Sequence, residues 1–432
     1  MKIAEHLGEL PEGFAEANDL VAGIDDCLNA GFSRLSSDQS SRLTELAGAF
    51  SGSPLGEPLN EAVAAMSRSE FLVRHFYLLA AARAALQGAQ YDALRSELHC
   101  ALGHESTAPE VPAPTGPGNF AASFGSVQQW LMEIAITGFA HLEEANVAPF
   151  MATLENVQQE PELTGLASLL TGYVNELLRY MPVDKQAFLP IYRWADLWTA
   201  AMVRTQQLTP TVPGKSVDGV VVLLGTSVQN HENFVEVNTY GILDTGKSTH
   251  AVRIPLTSYK VDIIHGAEIW DLFGEVGDQI LKALEKKKAL KIEKAELLPN
   301  GDLILRSKPK LGKASDPFSV AENLSPLPPL PPLARHPVQL AELVCVEADG
   351  GLPIAEDRLP VDTEITAKVL KSAKQIIGLL RFDGGQWQLQ PLSVETEKST
   401  VMAGESTLEV RAKIKKKTLP ILRERSGKLL RS

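Results

Sequence analysis

Near residue 210 the spacing of apolar residues changes, and this switch limits what the chain can fold into more than any other feature. Before it, Leu20, Val21, Ile24 and Leu28 fall on one helical stripe, and the Ala/Leu-rich run from Phe71 to Leu86 continues in the same style. After TPTVPGK, residues 209–215, the segments VDGVVVLLGTSVQ, FVEVNTYGIL and HAVRIPL are rich in β-branched residues and are separated by the turn sequences NHEN and DTGKS. Helices do not alternate with strands, so the expected class is α+β, a multidomain chain with an N-terminal all-helical region followed by mainly antiparallel β modules.

Punctuation divides the chain further. A helical block over 1–107 is closed by APEVPAPTGPG, residues 108–118, which can continue neither a helix nor a central strand. A second helical block spans 119–210 and includes Trp130, Trp194 and Trp198. Trp194 and Trp198 lie at i and i+4 on one helix face, which suits packing in a core and, as the alternative, a partner surface. The two blocks show no fixed period of the solenoid kind, so no repeat is expected.

Residues 211–320 read as a β-meander with one helix over 268–288 and a hairpin turning at Asn300-Gly301. SPLPPLPPL marks a Pro-rich linker over 321–334, a stiff spacer or a ligand for a proline-binding module. The remainder, 335–410, reads as a small β-rich module. Its IIGLLRFDGGQWQLQPLSV is a hairpin in which Gln386, Gln388 and Gln390 form an amide-rich face, a second candidate partner surface, opposite Trp387 and Leu389. TLEVRAKI is expected to add another strand.

Composition narrows the function classes. The net charge of −12 argues against a general nucleic-acid binder, yet the tail from Arg411 to Ser432 carries nine Lys or Arg against one Glu. That basic tail is the one segment suited to nucleic acid or an acidic partner, although a solvated terminus is the simpler reading. Three cysteines, Cys27, Cys100 and Cys345, sit in different segments, so a disulfide framework is not expected and a reducing cytoplasm fits. The N-terminus lacks the apolar core of a signal peptide, and the apolar run 71–86 is interrupted by Arg74, His75 and Arg83, so no membrane association is expected.

One stretch carries letters of chemistry. In GILDTGKST, Gly241, Gly246, Lys247 and Ser248 satisfy the phosphate-loop pattern, and Asp244-Thr245-Gly246 spells the aspartic-protease triplet. A phosphate loop needs a helix after the glycine-rich turn, whereas THAVRIPLTSY alternates and contains Pro255. An aspartic hydrolase needs a second Asp loop to share a proton, and the strand-turn-strand setting of Asp244 departs from retroviral-type proteases at Lys247. A β-turn is the preferred reading. His99, Cys100 and His104 with Cys27 or His75 lack zinc-site spacing, and His141 with Glu143-Glu144 lacks the Glu-x-x-His of di-iron sites. No cofactor and no metal are expected.

YRWADLWTAAM and IIGLLRFDGGQWQLQPLSV resemble segments of uncharacterised bacterial proteins from gene clusters that encode a MoxR-like AAA ATPase, a von Willebrand A-type protein and a SWIM-type zinc-finger protein. The resemblance covers the chain in layout and implies an accessory subunit of an ATPase-centred system; it transfers no catalytic residue. The expected function is therefore a non-enzymatic cytoplasmic scaffold or adaptor that binds protein partners. The alternatives are a nucleotide-binding protein using Gly241 to Ser248 and an aspartic hydrolase using Asp244.

Overall fold

The computed structural model describes residues 7–103, 118–206, 213–231, 234–261, 263–324, 326–360 and 363–414. The helical half contains α1 (Phe14–Ala30), α2 (Ser37–Ala49), α3 (Gly56–Ser67) and α4 (Val73–Leu102). It continues with α5 (Ala121–Thr137), α6 (Glu144–Val147), α7 (Met151–Gln158), α8 (Thr164–Arg179) and α9 (Ile191–Arg204). One core runs through both expected blocks, joining Leu28, Leu46 and Phe76 to Leu131, Tyr173 and Trp198. They are one domain, held centrally by Arg83 of α4. Its buried guanidinium donates to Asp25 of α1 at 2.7 Å and to Asp196 of α9 at 2.7 Å. None of the described helices is long and apolar enough to cross a membrane.

Although the sequence reading expected no repeat, the two parts of the helical half share one local arrangement at an offset of 107 residues. Helix α1 spans 14–30 and α5 spans 121–137; each ends at a glycine, Gly31 or Gly138, with φ of 89° and 88°. Each glycine is followed by a short 3-10 turn, Phe32–Arg34 or Phe139–His141. The next helix then opens with the same device: Gln39 accepts from the Ser36 amide at 2.9 Å, and Asn146 accepts from the Glu143 amide at 2.8 Å. The repeats share Gly31/Gly138, Phe32/Phe139, Leu35/Leu142, Pro54/Pro161 and Leu59/Leu166. Helix α1 packs on the 139–141 turn and α5 packs on the 32–34 turn, so the two contacts are reciprocal. Both glycines are obligatory there. A Cβ on Gly31 would lie 2.4 Å from the Thr137 carbonyl oxygen, and one on Gly138 would lie 2.4 Å from the Gly31 nitrogen.

The β half holds two antiparallel sheets. The first comprises β1 (Lys215–Asn230), β2 (Phe234–Asp244), β3 (Thr249–Tyr259), β4 (Lys288–Leu297), β5 (Leu303–Ile304) and β6 (Lys310–Ala314), in the order β3-β2-β1-β4-β5 with β6 also on β4. Helix α10 (Gly274–Glu285) covers one face through Ile280, Leu281 and Leu284. The second sheet has the order β10-β9-β8-β7, from β7 (Glu342–Glu347), β8 (Ala373–Asp383), β9 (Gln386–Thr396) and β10 (Thr400–Met402). A short helix, α11 (Ala367–Lys371), precedes β8. TLEVRAKI is not a strand: residues 407–414 are helical, with Glu364 accepting from the amides of Gly404 and Ser406 just before them.

Period-two alternation decides what each sheet buries. In the second sheet, Leu343, Ile377, Leu379 and Leu392 face Leu224, Tyr240, Ile242 and Ala251 of the first. Their neighbours Val344, Val346, Ile376 and Leu380 face Tyr91, Leu94 and Leu98 at the end of α4. The layers therefore run helix, sheet, sheet, helix, and the two expected β modules are one sandwich. Backbones touch at the seam: Ser393 Oγ donates to the Leu224 carbonyl at 2.6 Å, and a Cβ on Gly225 would lie 2.4 Å from the Leu392 carbonyl oxygen.

The Pro-rich segment is not a spacer. Leu327 is buried in the core between the sheets, its amide donates to Glu342 Oε2 at 3.2 Å and its carbonyl accepts from Arg95 at 2.9 Å. The segment straps both sheets to α4. The linker 108–118 falls almost wholly outside the described residues.

Candidate functional site

The GILDTGKST stretch forms the tip of the β2–β3 hairpin, with Asp244 paired to Thr249 across it. Its glycines answer to packing and turning. A Cβ on Gly241 would sit 2.6 Å from Val221 Cγ1 and 2.8 Å from the Val222 carbonyl oxygen, because β1 crosses closely at its bulge. Gly246 has φ of 76° and open space around it, so it serves the turn alone.

The amides that would cradle a phosphate are already occupied. Gly246 N donates to Asp244 Oδ1 at 2.7 Å, Ser248 N to Thr245 Oγ1 at 3.2 Å and Lys247 N, more weakly, to Thr245 Oγ1 at 3.4 Å. Residues 249–259 that follow are strand, so no helix N-terminus adds its dipole. Asp244 and Lys247 are both exposed, and among the described residues Asp244 forms no hydrogen bond with another carboxylate. The geometry is that of a side-chain-stabilised β-turn, without the parts that either alternative chemistry requires.

The other sequence-selected residues are dispersed. Trp194 and Trp198 are fully buried, which corrects their reading as a partner surface. Trp198 Nε1 donates to the Leu131 carbonyl at 2.9 Å, and Trp194 meets Phe139 and Tyr180 edge to face. In the C-terminal hairpin Gln386 is exposed and Gln388 half-buried, but Gln390 is buried. Its side chain accepts from Arg381 at 2.7 Å and donates to Ser227 at 3.1 Å. The alternation was legible, yet at Gln390 the amide face packs on the first sheet, while Gln386 at the hairpin tip stays in solvent.

Of the basic tail, residues 415–432 lie outside the described residues; Arg411 is buried and ion-paired with Asp271 and Asp278. His99 is buried beside Glu342 at 3.5 Å, Cys100 is exposed and His104 lies outside the described residues. Among the described residues no three His, Cys, Asp or Glu side chains are grouped to hold a metal.

The candidate site that sequence reasoning missed lies along the outer edge of β3. The Arg253 amide donates to the Gly301 carbonyl at 2.9 Å and not to β2, so odd-numbered residues of β3 present their backbone outward. Pro255 falls on this edge, where its missing N–H costs the sheet nothing. Beyond it the chain runs into Tyr259, Val261 and Ile263, which are 70%, 60% and 78% exposed. Tyr259 is steadied by Phe234 with ring centroids 6.0 Å apart. The signal available in sequence was the continuation of apolar alternation past Leu256 through TSYKVDI, which a covered strand end would not need. In comparisons with known proteins, the chain matches no family model, no curated protein and no solved structure.

Proposed function

We propose that this chain is a non-enzymatic adaptor that binds another protein along the open end of β3, through Tyr259, Val261 and Ile263. The observation that carries the reading is the exposure of three large apolar side chains within five residues, Tyr259 at the end of edge strand β3 and Val261 and Ile263 just past it. Unpaired edges with apolar side chains invite strand addition or aggregation, and proteins ordinarily blunt them with charge, proline or a covering loop. Here proline blunts the middle of β3 and its end is left apolar. An extended segment of a partner adding to this edge would gain main-chain hydrogen bonds and apolar contact together.

On the resemblance described above, the partner belongs to an AAA-ATPase-centred bacterial system and the chain works in the cytoplasm as its accessory subunit. The experiment is a co-purification of the full chain against a Tyr259→Ser/Ile263→Ser variant. Recovery of a stoichiometric protein partner by the parent and its loss from the variant is the expected result. Equal recovery by both, or turnover of a substrate by the pure chain, overturns the reading.

A further inference from the structure

A small hollow of about 30 Å³ lies where α4, the strap and the two sheets meet. Tyr91 of α4, Tyr240 of β2, Arg253 of β3, Leu327 of the strap and Glu342 of β7 line it. A water needs roughly 10–15 Å³ of such space, so the hollow takes one or two water-sized species and is too small for an oxyanion such as sulfate.

Two phenols meet there. Tyr240 is 2% exposed, and its hydroxyl makes no hydrogen bond with any described residue. A buried hydroxyl without a partner destabilises a fold, so the hollow should supply it with an acceptor. The Tyr91 hydroxyl accepts from the Leu330 backbone, which leaves its own O–H to donate. Burial raises both phenols above their ordinary value, so both remain protonated donors at neutral pH. Arg253 gives its Nε to Asp302 at 2.6 Å, and its terminal nitrogens are left for a further acceptor.

The local charge decides what that acceptor is. Arg381 is buried, its Nε donates to Gln390 at 2.7 Å, and it forms no ion pair with any described carboxylate. Asp383, the acid that acts on it, is bound by Arg358. At the Tyr240 hydroxyl the charges of Arg381 and Arg253 outweigh those of Glu236 and Asp302. On the Tyr91 side the Glu342 charge is answered by Arg95 and Arg335. The Tyr240 wall therefore carries positive potential, which favours an anion over a neutral acceptor.

We infer that the hollow binds a single halide ion, chloride in physiological buffers, held between the Tyr240 and Tyr91 hydroxyls and the Arg253 guanidinium. The ion would tie α4 to the first sheet beneath the strap. The hollow is distinct from the exposed residues Tyr259, Val261 and Ile263, so the inference stands independently of the adaptor reading.

Thermal unfolding in sodium chloride and in sodium gluconate at equal ionic strength tests it, because gluconate is too large for the hollow. The parent should unfold several degrees higher in chloride, since an ion that binds only the folded state stabilises it. Tyr240→Phe removes the hydroxyl, keeps the ring and should lose that difference. Bromide gives a second reading on the parent itself: in crystals soaked in sodium bromide, the anomalous signal should lie within hydrogen-bonding reach of the Tyr240 hydroxyl. A parent equally stable in both salts, which would mark water alone in the hollow, overturns the inference. So does a chloride effect that Tyr240→Phe retains, or bromide bound only at surface sites.

Discussion

Arg95 Nε lies 2.7 Å from Glu342 Oε1, and this bond joins helix α4 to strand β7 across 247 residues of sequence. Both side chains are more than nine-tenths buried, and the strap crosses the pair through Leu327, whose amide and carbonyl bond one partner each. Removing one member of such a pair strands the other charge in a poorly solvated site, at about 3–5 kcal/mol. Arg95→Met and Glu342→Leu should each lower the urea midpoint strongly. The double variant should recover most of the loss, since no uncompensated charge remains, and a double variant as unstable as the sum of the singles would contradict this.

Asp196 sets a pH dependence. Burial acts to raise its carboxyl, but the hydrogen bond from His336 and the Arg83 charge outweigh burial and hold it well below the usual carboxylate range. A carboxylate depressed in the folded state contributes stability above its unfolded pKa, and that contribution fades as pH falls from about 4 toward the folded value. The parent should therefore lose stability steeply below pH 4. In Asp196→Asn that portion of the slope should be missing, with the protein already weaker at neutral pH. Equilibrium unfolding at several pH values reads both.

Within GILDTGKST the structural order of importance reverses that of a phosphate loop. Lys247→Ala, at an exposed turn, should change stability by no more than about 0.5 kcal/mol and alter no nucleotide affinity. Gly241→Ala must push β1 aside and should cost about 1–3 kcal/mol, comparable to overpacking a core. Thermal unfolding with and without ATP distinguishes the two orders.

The glycines at the repeat junction should be intolerant as a pair. Gly31→Ala and Gly138→Ala each force a side chain into a positive-φ backbone and into the opposing repeat, at about 1–3 kcal/mol for the conformation alone. Because each clashes with the same contact, the double variant should lose less than the sum. Additive losses would mean that the two turns relax separately.

Thiol accessibility gives a further check. Burial pushes the Cys27 thiol up to about 12, with the neighbouring Asp26 charge adding to it, and its side chain lies in the helical core. An aromatic disulfide reagent at neutral pH should modify exposed Cys100 readily and Cys27 only on unfolding. Modification of both at similar rates in the native protein would show that the helical core opens.

The sequence by itself determined the class and much of the local structure. The switch of period near residue 210, the β1–β2–β3 meander and the Asp383-Gly384-Gly385 hairpin are set by local spacing and turn chemistry. Those act over a few residues and can be read from them. The sequence also told that GILDTGKST is followed by a strand, which was enough to doubt a phosphate loop.

What only the tertiary structure decided is which surface meets which. The amide face of Gln390 and the stripe of Trp194 and Trp198 have unambiguous periodicity, but periodicity states that a face is distinct and not what lies against it. SPLPPLPPL became a strap because its carbonyls and amides found Arg95 and Glu342, partners remote in sequence. The shared arrangement of the two helical parts escaped a linear reading because it is carried by backbone angles at Gly31 and Gly138 and by burial at matched positions, which few identical letters record. The exposed end of β3 was decided last of all, since an apolar residue is a partner surface only when the rest of the fold leaves it uncovered.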